Sequence, residues 1–182
     1  MTGWYALQTR SCCEQRVAGS FTALEAFYPY SESLGYRGAV VRRPYFPGYV
    51  FCRADVGDLA QRHSLIASPW VTRLVGHGTD PEPIPESQIH SVQMVAAWAS
   101  ELARKVEVIP TAAFKPGELI LINHGPLRGV QGYAVCAKDK LRLIVQIQML
   151  GQAVSAEVDA TWLQHCSKIL TCPANPGRRP TT

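Results

Sequence analysis

Hydrophobic residues follow two different patterns along the chain. Up to about residue 103, short strand-like apolar runs are separated by stretches in which apolar residues recur every three or four positions, as in amphipathic helices. From Phe114 onwards the apolar runs are all short and are separated by turn-forming residues. We therefore predict an α+β fold, in which a sheet flanked by helices is followed by a small β-barrel.

The strongest strand signal lies between Tyr49 and Cys52. Aromatic and β-branched residues dominate there, and these suit a packed, pleated surface. Pro47 cannot donate to a hydrogen-bonded ladder, so strand pairing is expected to begin only after it. Side chains two positions apart share a face, which puts Tyr49 and Phe51 on one side and Val50 and Cys52 on the other.

The same reasoning places the remaining elements. Strands are predicted at residues 4–9, 26–30 and 71–75, and in the barrel at 119–122, 131–136, 141–149 and 152–158. Helices are predicted from Ser11, over residues 59–66 with a cap near Asp55 or Asp58, and from residue 85 or 86 to about 103. Residues 31–43 are expected to form an exposed loop or a hairpin.

The first helix carries the clearest start signal. Ser11 and Glu14 have the spacing of a capping box, in which each side chain bonds the other residue's backbone N–H. One apolar stripe of the predicted helix follows at steps of three and four residues. Its members are Cys13, Val17, Phe21 and Leu24.

Composition is that of a globular protein with a mild basic bias. Of 182 residues, 47% are hydrophobic and 18% are charged, which is enough apolar material to form a core. Residues 1–105 hold 10 basic against 9 acidic side chains, and residues 106–182 hold 8 against 5, so the net charge is +4. This bias permits contact with nucleic acid without demanding it.

Catalytic and metal-binding patterns are missing from the sequence. The five histidines are dispersed, and no zinc, nucleophile-elbow or phosphate-loop motif occurs, so we expect neither an enzyme nor a cofactor or metal site. The six cysteines form no C-x-x-C pair and are expected to be buried free thiols of a reducing cytosol. We find no secretory leader and no long apolar run, which predicts a cytoplasmic protein without membrane contact.

Three segments resemble motifs of one protein family, in that family's order. W-Y-A-L at residues 4–7 and P-Y-F-P-G-Y-V-F at 44–51 resemble strands of the NGN domain of NusG-type transcription elongation factors. Residues 114–132, and above all G-P-L-R-G-V-Q-G at 125–132, resemble the KOW module of the same family. The resemblance implies an NGN domain at residues 1–103 and an SH3-like KOW barrel at 114–168, while composition predicts a linker at 104–113 and a disordered tail at 169–182.

This resemblance also implies a function that spacing alone does not indicate. NGN domains bind the clamp helices of the largest RNA polymerase subunit and bias the enzyme toward its closed, moving state, which is a population shift without catalysis. The KOW barrel recruits a ribosomal protein or the termination factor Rho, or it folds back on the first domain. We expect an ordinary barrel, because residues 141–145 are rich in strand formers. We also expect the protein to be a monomer.

Functional residues are carried over from the family by position. A polymerase-facing apolar patch is expected at Gln8, Phe46, Tyr49 and Phe51, with Tyr49 the most exposed of them; the alternative is that these aromatics belong to the core. A second polymerase contact is expected at Gln61, Arg62, His63 and Ser64. Arg10 and Arg16 match positions that touch non-template DNA in a specialised relative, and otherwise belong to a solvated face. The KOW motif residues are Gly125, Leu127, Arg128, Gly129 and Gly132, whose glycines also suit a tight turn.

Within the family, P-Y-F-P-G-Y-V-F-C-R at residues 44–53, H-G-P-L-R-G at 124–129 and the segment 145–152 favour the specialised antiterminators of long operons (the RfaH, LoaP and UpxY-like group) over the housekeeping factor. Two departures concern details. Gln152 or Ala153 stands where an arginine is usual near the last barrel strand, and the first helix is followed by the second strand without the family's usual glycine-containing turn, about two residues short. An RNA- or ribosome-binding KOW protein is a further alternative, which the two NGN-like strands disfavour.

Overall fold

The computed structural model describes residues 2–77, 80–101, 106–110, 119–137, 140–159 and 162. Its helices are α1 (Glu14–Ser20), α2 (Leu59–Ile66) and α3 (Glu86–Glu101). The strands of the first part are β1 (Thr2–Thr9), β2 (Glu25–Phe27), β3 (Tyr30–Leu34), β4 (Val40–Pro44), β5 (Tyr49–Asp55), β6 (Val71–Leu74), β7 (Gly76–His77) and β8 (Asp80–Pro81). Those of the second part are β9 (Val106–Pro110), β10 (Leu119–Leu121), β11 (Gln131–Ala137), β12 (Lys140–Ile147) and β13 (Gln152–Glu157). The predicted α+β class is confirmed.

The N-terminal sheet is antiparallel and has the strand order β2-β5-β1-β6. Strand β5 lies inside the sheet and begins at Tyr49, directly after the Pro47–Gly48 turn, as predicted. The predicted alternation is also confirmed, because Phe51 packs on the side of α3 while Val50 and Cys52 pack on the side of α1 and α2. The sheet therefore lies between two helical layers, each with its own apolar cluster.

The first two helices begin in different ways. Asp58, one of the two predicted caps, caps α2 and accepts a hydrogen bond from the Ala60 backbone N–H at 2.9 Å. The predicted Ser11–Glu14 capping box is wrong, because α1 starts at Glu14 and its N-cap residue makes no side-chain bond to the helix. Helix α1 ends at Ser20, so the last two members of the predicted stripe, Phe21 and Leu24, lie beyond it, although both still pack on the same cluster.

Residues 30–44 form a hairpin, which was one of the two predicted alternatives. Strands β3 and β4 pair in an antiparallel register from Tyr30↔Pro44 to Leu34↔Val40. The predicted strand at 26–30 is therefore divided between β2 and β3. The hairpin presents apolar side chains to solvent near its tip, and Tyr36 there is 85% exposed.

The C-terminal part is an antiparallel sheet of the strands β10-β11-β12-β13-β9, in that order. Residues 106–110, which we predicted to lie in a linker, instead form β9, which pairs with β13 along its whole length. The alternating V-E-V-I sequence of this segment suits an edge strand, and Pro110 stands at its end, where no further ladder bond is needed. The predicted tail at 169–182 lies outside the described residues.

This C-terminal sheet packs directly against α3. The Ser91 hydroxyl, 1% exposed as a residue, accepts a hydrogen bond from the Gln131 N–H at 3.0 Å. The Gln148 N–H donates to the Gln88 side chain at 3.3 Å, and the rings of Trp98 and Trp162 meet edge to face at 6.1 Å. Helix α3 is thus buried on two sides, and one apolar cluster runs from the N-terminal sheet through α3 into the C-terminal sheet.

The described cysteine side chains differ in exposure. Cys52 is fully buried in the sheet, and burial raises the pKa of its thiol to about 12, so it stays neutral at physiological pH. Cys13 is half-buried, and Cys12 is exposed, so the prediction of buried thiols is wrong for Cys12. Among the described residues we find no helix with the length and hydropathy that crossing a bilayer requires.

Candidate functional site

The predicted aromatic patch is mostly interior. Phe46 and Phe51 have no exposed surface, and their rings meet edge to face at 5.4 Å, so the expectation that they form a surface patch is wrong. The turn at Gly48, which has a φ of 82°, folds the chain back so that Phe46 packs under the strand that follows. Tyr49, whose N–H donates to the Phe46 carbonyl at 3.1 Å, is half-buried and keeps an accessible surface.

Gln8 lies beside Tyr49, as predicted for a neighbouring strand. The two residues are directly opposite in the β1–β5 register. The Arg73 guanidinium donates from Nε to the Gln8 side-chain oxygen at 2.7 Å, which fixes the amide at the sheet surface. Of the predicted patch, Gln8 and Tyr49 therefore remain available to a partner.

The second predicted contact, Gln61 to Ser64, lies on α2. This helix packs on the opposite side of the sheet from Tyr49, so the structure does not bring the two predicted contacts together. The Gln61 side chain is engaged internally, since it accepts from the Asp55 N–H at 3.0 Å and donates to the Asp58 carboxylate at 3.2 Å. Arg62 is half-buried, and His63 and Ser64 are exposed.

Arg10 and Arg16 both contact Trp70, a residue that sequence reasoning missed. The Arg16 guanidinium lies 5.0 Å from the centre of the Trp70 ring, and the Arg10 backbone N–H donates to the Trp70 backbone carbonyl at 2.9 Å. Both arginines are exposed. An aromatic ring with a guanidinium stacked on it is a feature of nucleic-acid-binding surfaces, although stacking of this kind also occurs without a ligand.

The KOW motif residues lie in a tight turn and at the start of β11, the strand that follows this turn. Gly125 and Gly129 have φ values of 78° and 91°, which other residues adopt only with strain. Leu127 is buried, and Gly132 lies so close to the Ile144 carbonyl that a Cβ would come within 2.7 Å of the oxygen. These four residues therefore have structural roles.

Arg128 is the exposed side chain of this motif. It lies in the turn, between the buried Leu127 and Gly129.

Glu14 is a buried residue whose partner no sequence signal indicated. It is 5% exposed, and its carboxylate accepts a hydrogen bond from the Gly48 N–H at 2.7 Å, 34 positions along the chain. This bond ties the start of α1 to the turn that precedes β5. It also explains why Glu14 does not complete a capping box with Ser11.

Replacing Glu14 by alanine is expected to lower the free energy of unfolding by about 1–3 kcal/mol, because the Gly48 N–H loses its acceptor. Glu14→Gln keeps a carbonyl oxygen in place and is expected to retain more than half of that stability. Urea denaturation of both variants beside Gln15→Ala, an exposed change on the same helix, measures the difference. An equal loss for the glutamine and alanine variants would contradict the assignment.

No group of three or more metal-binding side chains occurs in the part of the chain that the structure describes. The described surface features are an accessible tyrosine and amide pair on the sheet, an arginine–tryptophan contact, and a turn with one exposed arginine.

Comparison with known proteins identifies the family. The family model described as transcription termination factor nusG matches residues 2–93, just over half of the chain. The chain belongs to the NusG family. The match covers the region where the NGN-like strands and the Tyr49 turn lie, so the family resemblance of the first part is confirmed.

Individual NusG proteins match over most of the chain. The "Transcription termination/antitermination protein NusG" of Escherichia coli K12 is 28% identical over 172 residues, which cover 86% of this chain and 92% of that protein. The Helicobacter pylori J99 protein of the same name is 25% identical over 177 residues, covering 87% and 95%. A solved structure described as "Domain interaction in Thermotoga maritima NusG" is 22% identical, covers 89% of this chain and 96% of that one, and has a TM-score of 0.49.

Proposed function

We propose that this protein is a transcription elongation and antitermination factor that binds RNA polymerase and suppresses pausing and termination. Family membership carries the proposal, and the names of the matched relatives, which refer to termination and antitermination, agree with it. The factor works by binding alone, holding the polymerase in its moving state, and has no catalytic role. It acts in the cytoplasm as a monomer.

The proposed polymerase contact is the surface of Tyr49 and Gln8, directed at the clamp helices of the largest subunit. A half-buried tyrosine beside a fixed amide combines an apolar body with hydrogen-bonding groups, which is the composition of many interface anchors. Phe46 and Phe51 support this surface from below. The exposed residues His63 and Ser64, on the far side of the sheet, provide the proposed second contact.

We further propose a specialised, operon-specific role, with the housekeeping role as the alternative. The motif at residues 44–51 and the H-G-P-L-R-G run at 124–129 support this, and Arg10 and Arg16 beside Trp70 offer a surface for non-template DNA. Each phosphate contact would steepen the salt dependence of binding by roughly one unit. The C-terminal sheet, through Arg128, is the proposed site for a ribosomal protein or Rho.

Replacing Tyr49 by alanine is expected to weaken binding to the core RNA polymerase of the source bacterium by about 30-fold, the effect of losing one central anchor. Tyr36→Ala is the matched control, because Tyr36 is an exposed tyrosine at the hairpin tip and belongs to neither proposed contact. Biolayer interferometry with immobilised polymerase measures both affinities, and a thermal melt confirms that each variant is folded.

Equal affinities of the Tyr49→Ala and wild-type proteins would remove Tyr49 from the interface. If the wild type binds neither core polymerase nor an elongation complex but shows salt-sensitive affinity for bare RNA, the RNA-binding alternative replaces the proposal. Pausing assays on templates with and without operon-leader DNA separate the specialised from the housekeeping role, since only the former depends on a DNA element.

A further inference from the structure

Helix α2 presents a large apolar side chain to solvent at each of its ends. Leu59 is 80% exposed and Ile66 is 49% exposed, whereas Leu65 packs into the core and has no exposed surface. Seven residues make almost two full helical turns, so Leu59 and Ile66 lie on one face of the helix, about 10 Å apart along its axis. Helix α2 therefore offers apolar surface to solvent as well as to the sheet.

Two basic side chains lie between these apolar ends, on the same face. Arg62 and His63 follow Leu59 by three and four positions, the spacing that brings side chains together on a helix. His63 is exposed and Arg62 is half-buried. The helix sequence L-A-Q-R-H-S-L-I contains no acidic residue, and the Asp58 carboxylate that caps it is already bonded within the first turn. The face is thus apolar at both ends and basic in the middle.

This face is held rigidly by contacts at both ends of the helix. At the start, the Gln61 side chain accepts a hydrogen bond from the Asp55 N–H at 3.0 Å. At the end, the Ala67 N–H donates to the His63 carbonyl at 2.9 Å and so closes the last turn. A pre-formed face loses little conformational freedom when it binds. Helices that dock into grooves use anchors at the spacing of Leu59, the two basic residues and Ile66.

The face also points away from the other proposed contact. Helix α2 packs on the side of the sheet that Val50 and Cys52 share, whereas Tyr49 packs toward α3. One structural element of a partner cannot reach both sides of the sheet. A partner that contacts both surfaces must therefore hold this domain between two separate elements.

We infer that the exposed face of α2 is an apolar docking surface for RNA polymerase, with Leu59 and Ile66 as its anchors. The surface that receives it has two apolar recesses and, between them, an acidic group that faces Arg62 and His63. Charge complementarity is the reason for the acidic group. The inference rests on the proposed function and deepens its second contact, because the main anchors are two apolar residues outside the segment 61–64.

Replacing Leu59 by alanine is expected to weaken binding to core RNA polymerase about tenfold, the effect of losing one interface anchor. Ile66→Ala should cost about fivefold, since less of its surface is free to be buried. Leu34→Ala is the matched control: Leu34 is a leucine with 81% exposure on the β3–β4 hairpin, and its loss should change affinity less than about twofold. Biolayer interferometry measures the affinities, and thermal melts of all three variants should match the wild type.

The position of α2 gives two readouts that a purely structural role would not give. In the Tyr49→Ala, Leu59→Ala double variant the two losses of affinity should multiply to within about twofold, because the sites are separate. A photo-reactive benzoylphenylalanine at position 59 should cross-link to a polymerase segment that holds both apolar and acidic residues. The same group at position 49 should cross-link to a different segment.

Replacing Arg62 by glutamine tests the acidic group of the partner. A charge at an interface mainly steers association, so Arg62→Gln should slow association at low salt and make the rate less sensitive to salt. Arg43→Gln, a change of an exposed arginine on β4, is the control and should leave the association rate and its salt dependence unchanged.

Several results would overturn the inference and leave the proposed function in place. In each of them Tyr49→Ala still binds polymerase weakly. They are wild-type affinity in both Leu59→Ala and Ile66→Ala, an equal loss in Leu34→Ala, cross-links from positions 59 and 49 to the same segment, and an unchanged salt dependence in Arg62→Gln. A wild-type protein that binds neither core polymerase nor an elongation complex would overturn both proposals together.

Discussion

Replacing Phe51 by alanine is expected to lower the free energy of unfolding by about 3–5 kcal/mol. This is the usual cost of deleting a buried phenylalanine ring. Phe51 has no exposed surface, meets Phe46 edge to face at 5.4 Å, and lies 6.3 Å from the ring of Phe27. Domains of this size are stable by only about 5–15 kcal/mol, so the change removes a large share of the total.

Urea denaturation of Phe51→Ala beside Tyr49→Ala measures the contrast. Tyr49 is half-buried and on the same face of β5, so its truncation is expected to cost about 1 kcal/mol, since less surface is lost from the core. Phe51→Leu should cost less than Phe51→Ala because it leaves a smaller cavity. A loss below about 1 kcal/mol in Phe51→Ala would mean that the ring is not part of the core.

The difference in stability between Phe51→Ala and Tyr49→Ala also affects the interpretation of polymerase-binding data. If the Phe51→Ala protein fails to bind polymerase, the loss of core packing explains the failure before the loss of a direct contact does. Tyr49→Ala removes surface that a partner can reach and leaves the core in place. Tyr49 is therefore the informative position, and Phe51→Leu shows whether the support beneath it matters.

The local sequence pattern was sufficient to predict the parts of the fold that depend on residues close together in the chain. The alternation of Tyr49 to Cys52 predicted both faces of β5, and Asp58 was one of the two predicted caps of α2, because its bond is made only two residues away. Glu14 was misassigned for the opposite reason. Its partner, the Gly48 N–H, lies 34 positions away, and no spacing rule connects them.

The candidate site was harder to predict than the fold. The motif at residues 44–51 indicated the right turn but not which of its aromatics are exposed, because that depends on α3 covering one face of the sheet. Trp70 carried no sequence signal, since its role comes from the Arg16 side chain that the fold places beside it. Strand β9 was hidden in a segment too short for a clear period.

Replacing Ser91 by arginine is expected to separate the C-terminal sheet from α3. Ser91 is 1% exposed at this contact, and its hydroxyl accepts the Gln131 N–H at 3.0 Å. A guanidinium held there would be buried without a partner, which costs several kcal/mol. Separation instead exposes Trp98 and neighbouring apolar side chains, at about 1.5–3 kcal/mol for each large one, but returns the charge to water.

The N-terminal sheet should survive this separation, because other α3 residues, such as Ile89 and Val92, remain packed in the apolar cluster that α3 shares with the sheet. Small-angle scattering is expected to show a larger radius of gyration for Ser91→Arg, and a thermal melt should resolve two transitions where the wild type shows one. Ser100→Arg places the same charge on an exposed position of the same helix and should change neither. A compact Ser91→Arg protein with a single transition would show that the contact tolerates a charge.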